Sequence, residues 1–318
     1  MTKAEAEALR ITKRCRRRLD LLEDETARDL ARQYNAVSGL ILADLRKLLQ
    51  TDSPEPLLFR FDRDVAPVIT ARLETYTETA AASMANLSEQ AGQIGAESAD
   101  RSARCVVPKD QQHWNRISLS GIFTGGLFKA GRDALQKVPA QITEKIRELV
   151  GTAVGMAEQG IDWLMSKIGE TLSGLWSGLQ RIVRTVAEQI FRQAQQEQRQ
   201  QTPVQHWRRV ANHETACLAC LMLEGTVYER FEDFSDHPNG RCYVVPCEPG
   251  ATSEPTGRQW LEEQDDATQR RILGKTRYEA WKAGDLSLDQ MTDVRPDATF
   301  GPQPHVIPLR DLGLTAGK

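Results

Sequence analysis

Apolar residues recur at intervals of three and four along two long stretches of the chain, and this spacing places them on one face of an α-helix. In the first stretch, residues 4–50, they are Ile11, Cys15, Leu19, Leu22, Leu30, Val37, Ile41 and Leu48. In the second stretch, residues 141–194, they are Ile161, Leu164, Ile168, Leu172, Leu175, Leu179, Ile182, Val186 and Ile190, with Trp163 and Trp176 beside them. A further helical stretch is predicted over about 64–98. These patterns predict long helices that pack into a bundle.

Two apolar segments leave more than one interpretation open. The stripe within 141–194 is interpreted as a core or oligomer face, and its Trp, Lys and Arg residues make an interfacial membrane helix the alternative. Residues 117–131 are apolar and glycine-rich, which favours a hairpin or hinge between helices, with a membrane-active segment as the alternative. No apolar run approaches the ~18 residues that a membrane span needs. The sequence therefore predicts no span.

The residue composition of the sequence changes after the second helical stretch. The polar run 193–201 precedes Pro203 and is interpreted as a helix end and a linker. Turn-forming residues then concentrate within 205–250 and predict a compact strand-and-turn module. Helical character returns over 257–284, and an extended tail follows with Pro296, Pro302, Pro304 and Pro308. The predicted regions are 1–135 (N-terminal helical), 136–200 (amphipathic helical), 201–250 (Cys/His module) and 251–318 (helical segment and extended tail).

Composition is that of a globular, helix-rich protein. The chain is 40% hydrophobic and 27% charged, which argues against disorder, and only 6% aromatic, which suits helices better than sheets. The formal net charge of −3 gives no overall electrostatic attraction to nucleic acid. The N-terminus lacks the apolar segment of a secretory signal, so we expect a soluble protein kept in a reducing cytoplasm. Six cysteines are not expected to form a disulfide framework there.

The cysteine spacing predicts a metal site. Cys217 and Cys220 form a C-x-x-C turn, and His237 and Cys242 follow on a second turn about a hairpin's length away. This is the layout of a closed, structural Cys3His zinc site, and a module of about 45 residues is too small to bury much core without such help. The alternatives are a redox C-x-x-C and reduced cysteines packed as small hydrophobic residues. The predicted fold class is mainly α, a long-helix bundle followed by a small zinc-stapled α+β module and a helical and extended C-terminal tail.

No motif predicts an enzyme. The nearest catalytic pattern is that of the zinc deaminases, but His213 and Glu214 are adjacent instead of one residue apart, and Ala216 replaces the proline before the C-x-x-C. The fragment at 274–276 lacks the first glycine of a phosphate-binding loop, because Gln269 stands there. Cys247 is a spare thiol, and His206 and His213 are interpreted as surface or packing residues.

A basic cluster near the N-terminus allows two interpretations. Six cations fall within nine residues: Arg10, Lys13, Arg14, Arg16, Arg17 and Arg18. Acidic residues follow at once, so the cluster is interpreted as a solvated helix face with local ion pairs. The alternative is a contact with DNA phosphates or with an acidic partner. No aromatic residue is interleaved, so stacking on single-stranded nucleic acid is not predicted.

The segment HWRRVANHETACLACLMLEGTVY, followed by FSDHPNGRCYVVP, resembles the C-terminal motif of the Mu F-like minor head (head morphogenesis) proteins of tailed bacteriophages. The matching positions are Trp207, Cys217, Cys220, Gly225, His237, Pro238, Arg241, Cys242 and Pro246. Weaker likeness extends over about 140–290, where Arg184 and Thr185 match a helical motif and Val186 replaces its usual glutamate. The family usually has a cysteine where Gly240 stands, so that one further thiol is missing here.

The resemblance implies a virion component without enzymatic activity. It would act in prohead assembly near the portal, with the portal or the major capsid protein as partner, in the host cytoplasm and then inside the capsid or at the portal vertex. The N-terminal 130 residues carry no such resemblance, and packaged DNA is an expected further partner only through the interpretation of the basic cluster given above. The alternative function is a zinc-dependent nucleic-acid-binding protein or nuclease, suggested by the cysteines beside Asp236 and His237.

Overall fold

The computed structural model describes residues 1–51, 53–119, 126–154, 159–234, 236–237, 240–248, 256–297 and 301–314. About 71% of the structure is helical, and a long-helix bundle is followed by a small β module. The predicted fold class, mainly α with an α+β module, is therefore confirmed.

Five helical segments make up the first two thirds of the chain. Helix α1 spans Lys3–Gln50, α2 spans Leu57–Arg60 and runs through a π-helical turn (Phe61–Val65) into α3 (Ala66–Val106), and α4 and α5 span Gly126–Ala153 and Gln159–Gln201. Residues 51–56, which include Pro54 and Pro56, separate α1 from α2. The buried guanidinium of Arg60 satisfies the end of α1 by donating to the carbonyl oxygens of Leu48 and Thr51 at 3.3 and 3.0 Å.

Three predicted segments differ from the observed helices or fall partly outside the described residues. The stretch 141–194 is divided between α4 and α5, and residues 155–158 lie outside the described part. The hinge predicted at 117–131 falls partly on 120–125, which also lie outside it. The linker interpretation of 193–201 is wrong, because α5 is helical to Gln201 and buries Gln195, Gln198 and Arg199. Their polar groups find partners across the fold: Gln195 donates to the Val244 carbonyl at 3.3 Å, for example.

The chain divides into two compact units. One, the helical unit, comprises Asp20–Gln90 and Phe123–Ala187. Its core includes the apolar stripe of α5, where Leu164, Ile168 and Leu172 are at most 2% exposed. Tyr34 of α1 lies in this core, with its ring centroid 5.4 Å from that of Tyr76. Burial of these residues matches the core interpretation, whereas Ile161 at the start of the predicted stripe is 41% exposed.

The other, the site unit, comprises Met1–Leu19, Ala91–Ile122 and Glu188–Lys318. Within it α3 and α5 approach closely, because a Cβ at Gly95 would clash with the carbonyl oxygen of Phe191. An antiparallel sheet has the strand order β2-β1-β3. The strands and later helices are β1 (His206–Val210), α6 (Leu218–Met222), β2 (Val227–Glu229), β3 (Tyr243–Cys247), α7 (Gly257–Glu262), α8 (Asp266–Leu273), α9 (Lys275–Ala283), β4 (Thr292–Asp297) and β5 (Gly301–Val306).

The C-terminal tail is not simply extended. Strands β4 and β5 pair as an antiparallel hairpin in which Pro296 lies opposite Pro302. A two-stranded hairpin has two free edges, so a proline can sit in either strand without removing a bond from a central ladder. The hairpin packs onto α6, which places it beside the predicted metal site.

Candidate metal centre

Two of the predicted ligands come from α6. Cys217 is the N-cap residue of this helix and Cys220 lies three positions later, so both thiols point to the same side of the first turn. His237 and Cys242 come from the segment that leads into β3. The His237 Nε2 atom lies 3.3 Å from the Cys217 sulfur and 3.2 Å from the Cys220 sulfur. The fold therefore brings together residues that are about 20 positions apart in the sequence.

Cys242 belongs to a second group, which shares only Cys220 with the first. The ligand atoms of Cys220, Cys242 and Asp236 lie within 4.8 Å of one another, and so do those of Cys217, Cys220 and His237. All four predicted ligands line one cavity of about 10 Å³. That volume admits a single small occupant. The structure thus contains Cys and His groups close enough to hold a metal ion.

The distances suit a tetrahedral ion. With metal–sulfur bonds of about 2.3 Å and metal–nitrogen bonds of about 2.0 Å, the sulfur–nitrogen edge of a tetrahedron is about 3.5 Å. The two observed edges, 3.3 and 3.2 Å, are slightly shorter. Thiolate and imidazole are also the donors that zinc and other borderline-soft ions prefer. The residues present therefore fit the predicted kind of group.

The thiols of the C-x-x-C turn differ in charge. The hydrogen bond with Cys220 lowers the pKa of Cys217, against the opposing effect of burial, and His237 lowers it further. The same hydrogen bond raises the pKa of Cys220, together with its contact with Cys242 and its burial. Cys217 is therefore the thiolate of the pair, and it can enter a metal shell without losing another proton.

Asp236 holds the second turn in place. Its side chain is fully buried, and its carboxylate accepts the backbone N–H groups of His237 and Cys242 at 3.0 and 3.1 Å. Burial alone would raise its pKa, but the guanidinium groups of Arg209 and Arg192 outweigh burial and lower the pKa to about 2. Arg209 donates to it at 2.9 Å. One carboxylate thus orients the backbone of two predicted ligands.

Gly240 explains how the turn is packed. A Cβ at this position would overlap the carboxylate of Asp236. The backbone carbonyl of Gly240 accepts from Arg192 at 2.9 Å, and the same guanidinium lies 3.7 Å from Asp236. Asp236 therefore occupies the space that a cysteine side chain at position 240 would need.

Asp236, Arg192 and Arg209 are site residues that the sequence interpretation did not assign. Their charges complement the group: a divalent ion with three thiolates and one imidazole carries −1, Asp236 adds −1, and the two arginines supply +2. Asp236 is visible in the sequence as the neighbour of His237. Arg209 could not be recognised from the sequence. Arg208 and Arg209 are consecutive in β1, where the alternation of side chains predicts that one of them is exposed. In the structure both are buried.

The remaining candidates lie apart from this group. His206 is 3.3 Å from Glu229, and His213 is 2.6 Å from Glu224 and stacks on Trp260. The spare thiol, Cys247, lies in β3, where burial raises its pKa to about 11. A thiol with so high a pKa remains protonated at neutral pH.

The metal group also borders a cleft. Cys217 and His237 form one side of a space of about 510 Å³, and the β4–β5 hairpin forms the other with Arg295, Gln303 and His305.

The C-x-x-C turn lies beside an antiparallel sheet, whereas a thioredoxin-type redox motif needs a βαβ setting. In the described ranges, no helix is long and apolar enough to cross a membrane.

The N-terminal cations do not all face solvent. Arg10, Lys13, Arg14, Arg17 and Arg18 are exposed, as the predicted contact with phosphates requires. Arg16 is 2% exposed, and both of its terminal nitrogens donate to the carboxylate of Glu188. The inclusion of Arg16 among DNA-contacting residues was therefore wrong.

No protein-family model matches this chain, and neither a curated protein nor a solved structure matches it. The case for a function rests on the residues described above.

Proposed function

We propose that this protein is a minor head protein of a tailed phage or prophage, and that a structural zinc ion staples its Cys/His module. The observation that supports this most is the convergence of Cys217, Cys220, His237 and Cys242 on one small cavity. These four residues were assigned from spacing and also match the motif of the head proteins.

Other positions of that motif support the proposal because they build the module. Trp207 is fully buried in β1 and lies opposite Pro246 of β3. Gly225 has a φ of 92°, a left-handed conformation that favours glycine, two residues before the start of β2. These described positions of the motif therefore belong to the sheet and its turn, beside the candidate metal group, as expected of a structural signature.

The zinc ion would have a structural role. Three thiolates and one imidazole fill its four positions and leave none for a reactive water. The ion would tie α6 to the turn that precedes β3, and Asp236 would fix that turn through the backbone of His237 and Cys242. Most of the binding free energy then contributes to folding of the module, on the order of 10 kcal/mol.

Elemental analysis of the purified full-length protein tests the metal. We expect about one zinc per chain, lost in Cys217→Ser. Cys105→Ser is the matched control, because Cys105 is a partly exposed thiol of α3. Zinc content that is equally low in all three proteins would contradict the staple.

Phage assembly tests the role in the head. The protein should copurify with proheads and with portal or capsid protein, and phage lacking its gene should form defective heads. Particles that assemble and package DNA normally without it would exclude the head function while leaving the zinc result intact.

A second candidate, a zinc-dependent nucleic-acid-binding protein or nuclease, is supported by the cleft beside Cys217 and His237. A nuclease assay with Mg²⁺ or Zn²⁺ and His237→Ala as control separates the two candidates. Cleavage that His237→Ala abolishes would favour the enzyme.

A further inference from the structure

The exposed side of the first part of α1 is almost entirely basic. Within residues 3–19 the exposed positions are Lys3, Glu7, Arg10, Lys13, Arg14, Arg17 and Arg18. Lys13 and Arg14 follow Arg10 by three and four positions, and Arg17 and Arg18 follow Arg14 by three and four. This spacing places the five cations on one face of the helix. The opposite side is buried, with Thr12, Cys15 and Leu19 at most 4% exposed. We call this exposed side the basic face.

The basic face concentrates charge against the balance of the whole chain. Residues 3–19 contain seven basic and two acidic side chains, a net charge of +5, whereas the whole chain carries −3. Arg18 and Arg101 of α3 share the carboxylate of Glu97, at 3.1 and 2.8 Å, so α3 adds a further exposed cation at the edge of the face.

This arrangement opposes the stability of the helix. Lys13 and Arg14 each stand three or four positions from both Arg10 and Arg17, and like charges at these spacings repel. Arg10 is offset by Glu7 at 2.9 Å and Arg18 by Glu97. For Lys13, Arg14 and Arg17, the described ranges hold no ion pair. A cluster of like charges that destabilises its own helix, with the repulsion only partly offset by ion pairs, indicates a function.

We infer that the basic face binds the phosphate backbone of double-stranded DNA. Arg10 to Arg18 span about 12 Å of helix axis, a length over which duplex DNA carries about seven phosphate charges. Most of the cations are arginines, whose forked donors match phosphate oxygens. This inference does not rest on the proposed head function.

Duplex DNA fits the face better than the other candidate partners. A protein partner usually needs a buried aromatic or aliphatic anchor, and no large apolar residue is among the exposed positions of 3–19. Single-stranded nucleic acid needs stacking platforms, and no aromatic residue is there either. Binding should therefore be electrostatic, independent of sequence and sensitive to salt.

Fluorescence anisotropy with a labelled duplex of about 30 base pairs tests the inference on the full-length protein. The variant is Lys13→Gln/Arg14→Gln/Arg17→Gln. The control is Lys129→Gln/Arg132→Gln/Lys137→Gln, which removes the same charge from exposed positions of α4. Wild-type affinity should fall steeply with salt. In a plot of the logarithm of the binding constant against the logarithm of salt concentration, the slope for the variant should be smaller in magnitude by about 2.7. Between 50 and 200 mM salt, the variant should therefore lose about 40-fold less affinity than the wild type does. The slope for the control should equal that of the wild type.

Three results would overturn the inference: no duplex binding at low salt, equal loss of affinity in both triple variants, or tighter binding of a single strand of the same length. Because the substitutions relieve repulsion, the variant should be at least as stable as the wild type. A thermal scan of each protein therefore separates lost binding from lost folding.

Discussion

Arg16 and Arg17 are neighbours in α1, and we expect their replacement by glutamine to have opposite consequences. Arg16 is 2% exposed and forms a two-bond ion pair with Glu188. Its guanidinium also lies 5.8 Å from the centre of the Phe191 ring. Arg16→Gln leaves the Glu188 carboxylate buried without this cation. Breaking a buried pair from one side typically costs about 3–5 kcal/mol.

Arg17 is exposed, and its charged neighbours at helical spacing are Lys13 and Arg14 on one side and Asp20 on the other. Each like-charge pair at these spacings destabilises a helix by about 0.2–0.5 kcal/mol. Arg17→Gln removes two such pairs together with one favourable i,i+3 pairing with Asp20 of similar size, so it should stabilise the protein by about 0.2–0.5 kcal/mol. The two variants lose the same charge and gain the same side chain, which makes each the control for the other.

The two variants are compared by calorimetry, which gives their melting temperatures, and by their affinity for duplex DNA. For a chain of this length, about 2 °C of melting temperature corresponds to each kcal/mol. Arg16→Gln should therefore lower the melting temperature by about 6 °C or more, and Arg17→Gln should raise it slightly. DNA affinity should respond in the reverse order when measured well below both transitions. Equal melting temperatures for the two variants would refute the assignment of Arg16 to the interior.

Three further outcomes follow from the candidate metal site, and a fourth follows from the Arg16–Glu188 ion pair. Asp236→Asn should destabilise the protein by about 3 kcal/mol because Arg209 loses its buried anion, whereas the exposed Asp233→Asn should stay within about 0.5 kcal/mol in the same thermal scan. Gly240→Cys should lower stability and add no zinc by elemental analysis, because its side chain displaces Asp236. Chelation of zinc should make 201–250 sensitive to limited proteolysis while far-UV circular dichroism keeps most of its helical signal. Arg16→Met combined with Glu188→Leu should recover most of the stability that Arg16→Gln loses, as seen by calorimetry.

The helices could be predicted because their evidence is local. A stripe such as Leu164, Ile168 and Leu172 repeats with the helical period, and each position is confirmed as buried. The end of α5 could not be predicted in this way. Gln195 and Gln198 look like a polar linker in the sequence, and their burial depends on acceptors in segments 49 and 83 residues away. No window of sequence contains those partners.

The candidate metal ligands could be predicted for a different reason. Thiol and imidazole side chains are scarce, and their spacing at 217–242 carries geometric information even when the intervening fold is unknown. The residues that support the ligands are common types with no such spacing. Arg192 lies in a helix and Arg209 in a strand, and only the folded chain shows that both face Asp236.

Position 240 shows how the two kinds of residue depend on each other. A cysteine there and an aspartate at 236 compete for one volume, since a Cβ at 240 would overlap the carboxylate. They also supply the same charge, because a metal-bound thiolate and a carboxylate each carry −1 beside Arg192 and Arg209. Replacing one by the other therefore keeps the buried arginines compensated while changing the number of thiols. A cysteine at 240 is thus incompatible with the way Asp236 packs in this turn, and the proposed ligand set of Cys217, Cys220, His237 and Cys242 does not require one.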